Sequence, residues 1–444
     1  MKLLSLSHGL FFFLSITTVI AAGGSTTEKY AFAHVVVGDT SAHTKETWEV
    51  DIALAAAAGL DAFALDIAYY DPNVAIQVKN AFEAAESLGS FFKLFFSFDY
   101  LGGGLPWPAN GSDSVVSYLQ QYGNSNAYFK YEGQLFASTF EGTSNIEDWE
   151  ENGTIRSAID TGIYFVPVWT SLGPSGIIPY LDVIQGTFSW NIWPVGATDM
   201  TDAPDLQWIE AIGPNKTYIM GVSPWFFHSA SGGLDWIWRG DNLWHDRWLE
   251  TVEVNSAFVE VVTWNDWGES HYIGPLHNTT EIPDGSEIYD LGMPHDGWRN
   301  LLPYYIAQYK GKPYETFVDL AQYWYRLAPA SGGSTCGVQG NDYQDGQPEV
   351  NPNTIVEDDV FFTALLIADA TLELRIGDNN PTAFTGVKGI NHFSQPFNGQ
   401  TGPVSLSIIR DGFVVEQGIG ASISSTTDLS NNCTNYNAWV GSIN

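Results

Sequence analysis

The segment Trp264-Asn265-Asp266-Trp267-Gly268-Glu269-Ser270 carries two carboxylates three residues apart, with Gly268 between them and a tryptophan on each side of Asp266. A glycine at that point permits a sharp turn, so both acids can face one site. Two carboxyls held close cannot both ionise freely, and their pKa values split. The flanking indoles Trp264 and Trp267 exclude water and push a carboxyl further up. A split pair offers a proton donor and a proton acceptor at the same pH. Cleavage of a glycosidic bond uses that combination: one acid protonates the leaving oxygen, and one carboxylate activates water or attacks the sugar. Asp266 and Glu269 are therefore the candidate catalytic pair. The bland alternative is that Asp266 caps the next segment and Glu269 is merely solvated.

Positioning such a pair requires a scaffold. Eight short apolar runs lie ahead of the motif or lead into it, at 30–37, 62–67, 92–98, 134–140, 163–169, 187–192, 218–223 and 258–263. Continuous apolar runs of this length fit strands covered on both faces, as in a parallel sheet. Helical spacing fills several intervals. Residues 47–58 are followed by Gly59 as a stop, and residues 75–88 have Pro72 at the expected first turn and Gly89 beyond. The fold class expected is α/β: a (β/α)8 TIM barrel.

After about residue 310 the pattern changes. Residues 317–328 read as an aromatic, half-helical stretch, and 330–334 as a linker. Short alternating strands follow at 360–367, 370–376, 404–409 and 413–418, as in a small β-sandwich. The expected domains are a signal peptide over 1–22, a catalytic barrel over 23–310, a connecting helix and linker over 311–350, and a C-terminal β-sandwich over 351–444.

In such a barrel the chemistry sits at the C-terminal ends of the strands. Asp66, Asp99, Tyr100 and Glu141 fall there, as do Trp169, Trp190, Asn191, Trp193, Trp225, Trp264, Asn265 and Trp267. Sugar rings present apolar C–H faces that stack on indoles, so these residues are the candidate substrate-binding set. Core packing is the competing reading for any one of the 17 tryptophans. His34 and His228 are possible donors to sugar hydroxyls. No HExxH or H-x-H spacing, nucleotide loop or G-x-S-x-G elbow occurs, so no metal, cofactor or serine triad is expected.

Composition narrows partners and compartment. Lys and Arg number 17 against 51 Asp and Glu, a formal charge of −34. Such a surface repels nucleic acid and anionic lipid, so neither is an expected partner. Lys2, the apolar run 10–20 and the small residues Ala21-Ala22-Gly23 form a signal-peptide pattern too short to span a membrane. The expected location is extracellular or in a cell wall, as a monomer. Cys336 and Cys433 are expected to pair in an oxidising compartment; two unpaired thiols are the alternative. Asn110, Asn152, Asn215, Asn278 and Asn432 lie in glycosylation sequons.

Several separated stretches carry a family resemblance: Phe32-Ala-His-Val-Val-Val-Gly38, the run from Trp48 to Asp66, Lys93-Leu-Phe-Phe-Ser-Phe-Asp99, Pro167-Val-Trp169 and Thr263-Trp-Asn-Asp-Trp-Gly-Glu-Ser-His-Tyr-Ile-Gly-Pro275. In order and wording they resemble fungal family 71 glycoside hydrolases, the α-1,3-glucanases or mutanases. Tyr323-Trp-Tyr-Arg326 and the β-rich tail resemble that family's C-terminal region. The resemblance implies hydrolysis of α-1,3-glucosidic bonds in fungal wall glucan, Asp266 and Glu269 as the catalytic acids, and an inverting mechanism. His43 departs from the pattern, which has an aromatic such as Tyr there in many relatives. Two other readings stand beside this one: an endo-α-mannosidase-like barrel, and a non-catalytic wall-binding protein that keeps the aromatics and loses the acids.

Overall fold

A computed structural model describes residues 28–229, 235–343, 346–425 and 433–444. The signal peptide and the sequon at Asn432 lie outside the described residues. The fold is mixed α/β, built on a curled parallel sheet. Its strands are β1 (Tyr30–Val36), β2 (Ala62–Ala68), β3 (Lys93–Asp99), β4 (Gln134–Phe140), β5 (Ile163–Phe165), β6 (Gly186–Phe188), β7 (Thr217–Val222) and β8 (Phe258–Val261). Their order is β5-β4-β3-β2-β1-β8-β7-β6, with Lys130–Tyr131 as an antiparallel flap on β4.

The apolar runs form strands because both faces are covered. The middle five residues of β1 and of β3 are all buried. Phe32 on β1, Phe95 on β3, Phe136 on β4 and Phe258 on β8 meet on the concave face, with Phe136 and Phe258 5.2 Å apart at their ring centres. The curl brings the C-terminal ends of distant strands to one rim.

Two strands end sooner than their apolar runs. The run 163–169 pairs regularly only through Phe165, because Pro167 has no N–H to donate. Beyond it, Val168 makes single parallel bridges to Phe140 and to Phe188. The run 187–192 leaves the sheet after Phe188, where Trp190 donates its backbone N–H to Thr170 Oγ1 at 2.7 Å.

Helix α1 (Lys45–Ala57) starts at Thr44, whose hydroxyl accepts from Thr47 N in a capping box, and stops before Gly59 at φ +94°. Helix α2 (Val74–Ser87) begins after Pro72 and Asn73, so the proline precedes the first turn instead of occupying it.

Residues 317–328 correct the expected connecting helix. Leu320–Arg326 is a strand, because Tyr323 and Tyr325 alternate with Gln322 and Trp324 between two covered faces. It lies in an antiparallel sheet with Asp359–Leu366, Gly389–Pro396 and Ala438–Ile443. A second antiparallel sheet joins Thr382–Gly386, Ala370–Ile376, Gly402–Arg410 and Phe413–Ile423. Tyr323, Phe362, Leu372, Leu406 and Ile408 share one buried cluster between the two sheets.

The outer face of the first sheet joins the core of the curled sheet. Trp324 Nε1 donates to Asp241 O at 2.8 Å, and Trp225 Nε1 donates to Tyr436 O at 2.9 Å. Cys336 and Cys433 form a disulfide that spans 97 residues of sequence. Among the described residues no helix is long and apolar enough to cross a membrane.

Candidate active site

Beyond β8 the chain folds back on itself. Trp264 N donates to His34 O at 2.7 Å, Thr263 N to His271 O at 3.0 Å, and Ile273 N to Thr263 O at 3.1 Å. Residues 264–270 form the closed end of this hairpin. Asp266 N donates to Thr263 Oγ1 at 2.8 Å, and Glu269 N donates to Asp266 Oδ1 at 2.9 Å. Asp266 thus caps the turn that presents Glu269, and its other oxygen remains for chemistry.

The two carboxylates converge on one imidazole. His271 Nε2 lies 2.8 Å from Glu269 Oε2 and 3.6 Å from Asp266 Oδ2, and its Nδ1 lies 3.1 Å from Thr263 Oγ1. The three groups have ligand-type atoms within 4.8 Å of one another. His271 is fully buried, whereas the Asp266 and Glu269 side chains keep 20% and 31% of their surface open. Burial pushes Asp266 up to about 6, and the charge of Glu269 adds to that shift. Burial pushes Glu269 up to about 7 and holds His271 down to about 4, so the imidazole is neutral. Asp39, after β1, is a further acid here: burial, then the charge of Asp266, holds its carboxyl well above the ordinary range.

A second charged cluster underlies the first. His34 Nδ1 lies 2.8 Å from Glu260 Oε1, and Nε2 lies 3.6 Å from Asp66 Oδ2. Burial opposes a charged His34, but hydrogen bonds to Asp66 and Glu260 outweigh it and raise the imidazole to about 10. Asp66 Oδ1 is buried with no hydrogen-bond partner. Asp99 accepts from Leu101 N and Gly102 N, both at 2.8 Å, while burial and then the nearby Asp66 lift it to about 7.

A cleft of about 1450 Å³ borders these clusters, walled by Tyr100, Glu141, Trp190, Asn191, Trp193 and Trp238 among others. Trp190 stands edge-on to His34 at 5.1 Å, and Trp193 packs against His271 at 5.5 Å. Trp193 also stacks on Trp238 at 4.9 Å, with the rings 9° from parallel. Stacked indoles beside two raised carboxyls suit a ring with apolar faces and hydroxyl edges.

A sequence comparison then decides the family. Residues 27–444 match the profile described as Glycosyl hydrolase family 71. The chain belongs to glycosyl hydrolase family 71. It is 34% identical over 430 residues to "Glucan endo-1,3-alpha-glucosidase agn1" of Schizosaccharomyces pombe, covering 93% of this chain and 94% of that one. It is 31% identical over 429 residues to "Mutanase Pc12g07500" of Penicillium rubens, covering 94% and 89%. Among solved structures, a GH99 endo-alpha-mannosidase from Bacteroides thetaiotaomicron is similar at a TM-score of 0.47 and 15% identity, over 64% of this chain and 97% of that one.

Within this family 71 chain, the expected substrate set divides. Trp190, Asn191, Trp193, Glu141 and Tyr100 line the cleft. Tyr100 offers only its ring, because its hydroxyl accepts from Trp149 Nε1 at 3.2 Å and the side chain is buried. Glu141 is held by Ser171, whose N–H donates to Oε1 at 2.9 Å and whose hydroxyl donates to Oε2. Trp169, Trp225, Trp264 and Trp267 are corrections. Each is at most 3% exposed and presents no face to solvent. Trp169 packs on Phe165 and Tyr180, Trp264 on Phe63, and Trp267 on Tyr272. Asn265 is a correction too: its amide accepts from Val36 N and donates to Val36 O, both at 2.9 Å, stapling β1 to the turn that carries Asp266 and Glu269.

His271, Thr263, Glu260 and Trp238 escaped the sequence reading. His271 stands two residues past Glu269 in a stretch already singled out, and that was its available signal. Trp238 had none, because it reaches the cleft from a segment far from any apolar strand run.

Proposed function

We propose that this chain hydrolyses α-1,3-glucosidic bonds of fungal cell-wall α-glucan, with Asp266 and Glu269 as base and acid. One observation carries the reading: Asp266 and Glu269 both turn to the buried His271, which packs on Trp193 in the wall of an indole-lined cleft. Similarity to a glucan endo-1,3-alpha-glucosidase and a mutanase supplies the linkage. Glu269 is the more open of the two and bonds the imidazole, whereas Asp266 Oδ1 is tied to Glu269 N, so Glu269 is taken as the acid that protonates the glycosidic oxygen. Asp266 ionises first and takes the proton of the attacking water. Trp190 stacks a glucose ring, the Trp193–Trp238 pair walls the cleft with ring edges, and Asp66 and Asp99 meet sugar hydroxyls.

Inversion by this pair needs room for a water, ~6.5–9.5 Å between carboxyls. With both groups turned to His271, their nearest oxygens lie within 4.8 Å. Inversion therefore has Glu269 leave His271 as glucan enters. A β-anomer as first product supports that account; an α-anomer, seen by NMR early in hydrolysis, rejects it.

The parallel sheet is read as a (β/α)8 barrel over 23–310. Strand order, β1–β8 pairing and the bridges of Val168 to Phe140 and Phe188 favour closure. The two antiparallel sheets with their shared core favour a C-terminal β-sandwich, which takes in the strand at Leu320–Arg326. The sequence pattern of 1–22 and the disulfide favour secretion. Asn110, Asn152, Asn215 and Asn278 are exposed, as glycan acceptors must be.

Insoluble α-1,3-glucan and mannan, incubated in parallel with the protein, test the substrate. Glucose oligomers released only from the glucan are expected. Release from mannan alone supports the mannosidase-like reading instead.

A further inference from the structure

A second cluster of metal-type ligands stands apart from the catalytic turn, where the loop after β8 meets helix α1. His43 Nε2 lies 3.0 Å from Asp51 Oδ2, and His277 Nε2 lies 2.7 Å from Asp51 Oδ1. The three ligand atoms fall within 4.8 Å of one another. The other nitrogen of His43 is already used, because Nδ1 lies 2.6 Å from Glu281 Oε1.

We propose that Asp51, His43 and His277 bind a divalent transition-metal ion of the zinc class, with Glu281 orienting His43. Two imidazole nitrogens and one carboxylate oxygen, plus a water, complete a tetrahedral zinc shell. A carboxylate on the far nitrogen of a ligand histidine fixes its tautomer and ring plane, and Glu281 stands in that place. Ligand atoms ~2.0–2.1 Å from a tetrahedral ion lie ~3.3 Å apart. The two imidazoles approach different oxygens of Asp51, at 3.0 and 2.7 Å, so admitting the ion takes a turn of the carboxylate to bring one oxygen, or both, onto it and an opening of up to about half an ångström.

Charge favours an ion at this point. The Asp51 and Glu281 side chains are 2% and 1% exposed. Among the described residues their ion pairs are with imidazoles alone, and neither meets a lysine or arginine. The two buried carboxylates share a single imidazolium, His43, whose bonds to them outweigh burial and raise it, so one negative charge is left over; a divalent cation in place of the His43 Nε2 proton balances it. Trp48 packs on His43 at 5.2 Å, Gln77 Nε2 donates to His43 O at 3.1 Å, and Gln77 Oε1 accepts from Trp48 Nε1 at 3.0 Å. His277 is exposed and stands edge-on to His43 at 5.1 Å, which leaves an entry path and a free coordination position. The ion would pin the loop after the catalytic turn to α1.

The test uses the full chain without a histidine tag, stripped with EDTA and dialysed. Zinc is then titrated by calorimetry, and melting is followed with and without it. One equivalent bound and a raised melting temperature are expected. His277→Ala, which also takes a hydrogen bond from buried Asp51 and so lowers the metal-free melting temperature somewhat, is expected to weaken binding at least tenfold and abolish the zinc-dependent rise. His271→Ala is expected to bind zinc as the parent does. No binding to the parent chain overturns the proposal. So does binding that survives His277→Ala or is lost in His271→Ala, since the ion then sits elsewhere.

Discussion

His271 Nε2 lies 2.8 Å from Glu269 Oε2, and the imidazole is fully buried while the carboxylate remains partly open. In the free enzyme a neutral ring in that position accepts from a protonated Glu269, keeping the acid protonated and placed to turn to the entering glucan. His271→Ala is expected to lower kcat by ~10–100-fold, the scale of a misplaced catalytic group, with little change in KM. The high-pH limb of activity also moves to lower pH, because the protonated form loses its acceptor and water enters. Steady-state kinetics across pH check both effects. A purely structural histidine would change melting temperature and leave the limb in place.

The pH profile of the parent enzyme follows from the pair itself. Asp266 must be ionised, so activity falls as pH drops through about 6. Glu269 must be protonated, so activity falls as pH rises through about 7. A narrow bell in kcat/KM with its maximum between these values is expected. A plateau extending well into alkaline pH would contradict Glu269 as the acid.

Cleft and core tryptophans separate by kinetics and melting. Trp190→Ala is expected to raise KM by about tenfold, the worth of one stacking contact of ~1–1.5 kcal/mol, with modest loss of stability. Trp264→Ala is expected to cost ~3–5 kcal/mol of stability, because it empties a site in the core. Thermal melts and KM on soluble glucan oligomers measure the two together.

Asn265→Ala removes both hydrogen bonds to Val36. A buried backbone N–H and C=O left unpaired cost ~1–3 kcal/mol each. Lower melting temperature and lower kcat are expected, with KM near that of the parent, since this amide holds the turn and not the sugar.

The disulfide closes a loop of 97 residues, so Cys336→Ala with Cys433→Ala is expected to cost about 2–5 kcal/mol of stability. Denaturation curves of the double variant read that loss directly.

The strand frame was legible because both-face burial writes itself as continuous apolar runs, as in β1 and β3. Pro167 showed where such a run must leave its ladder only once the neighbours were known. The aromatic run at Leu320–Arg326 was misread as half-helical because tyrosine and tryptophan serve either period when both faces are covered. The sequence spacing put Asp266 and Glu269 on one turn, and both carboxylates do turn to His271. Trp169, Trp225, Trp264 and Trp267 were not separable from Trp190 and Trp193, because composition does not say which side of a wall an indole packs on. Asn265 misled for the same reason: its side chain faces a backbone 229 residues away in sequence.

The central claim is that Asp266 and Glu269 carry out glucan hydrolysis. Its most direct test is the initial rate of reducing-end release from insoluble α-1,3-glucan by the parent chain, Asp266→Asn and Glu269→Gln, with melting temperatures measured alongside. Both variants are expected to lose about 10²–10⁴-fold in rate while folding and binding glucan as the parent does. A folded variant of either acid that releases product at the parental rate would contradict the account.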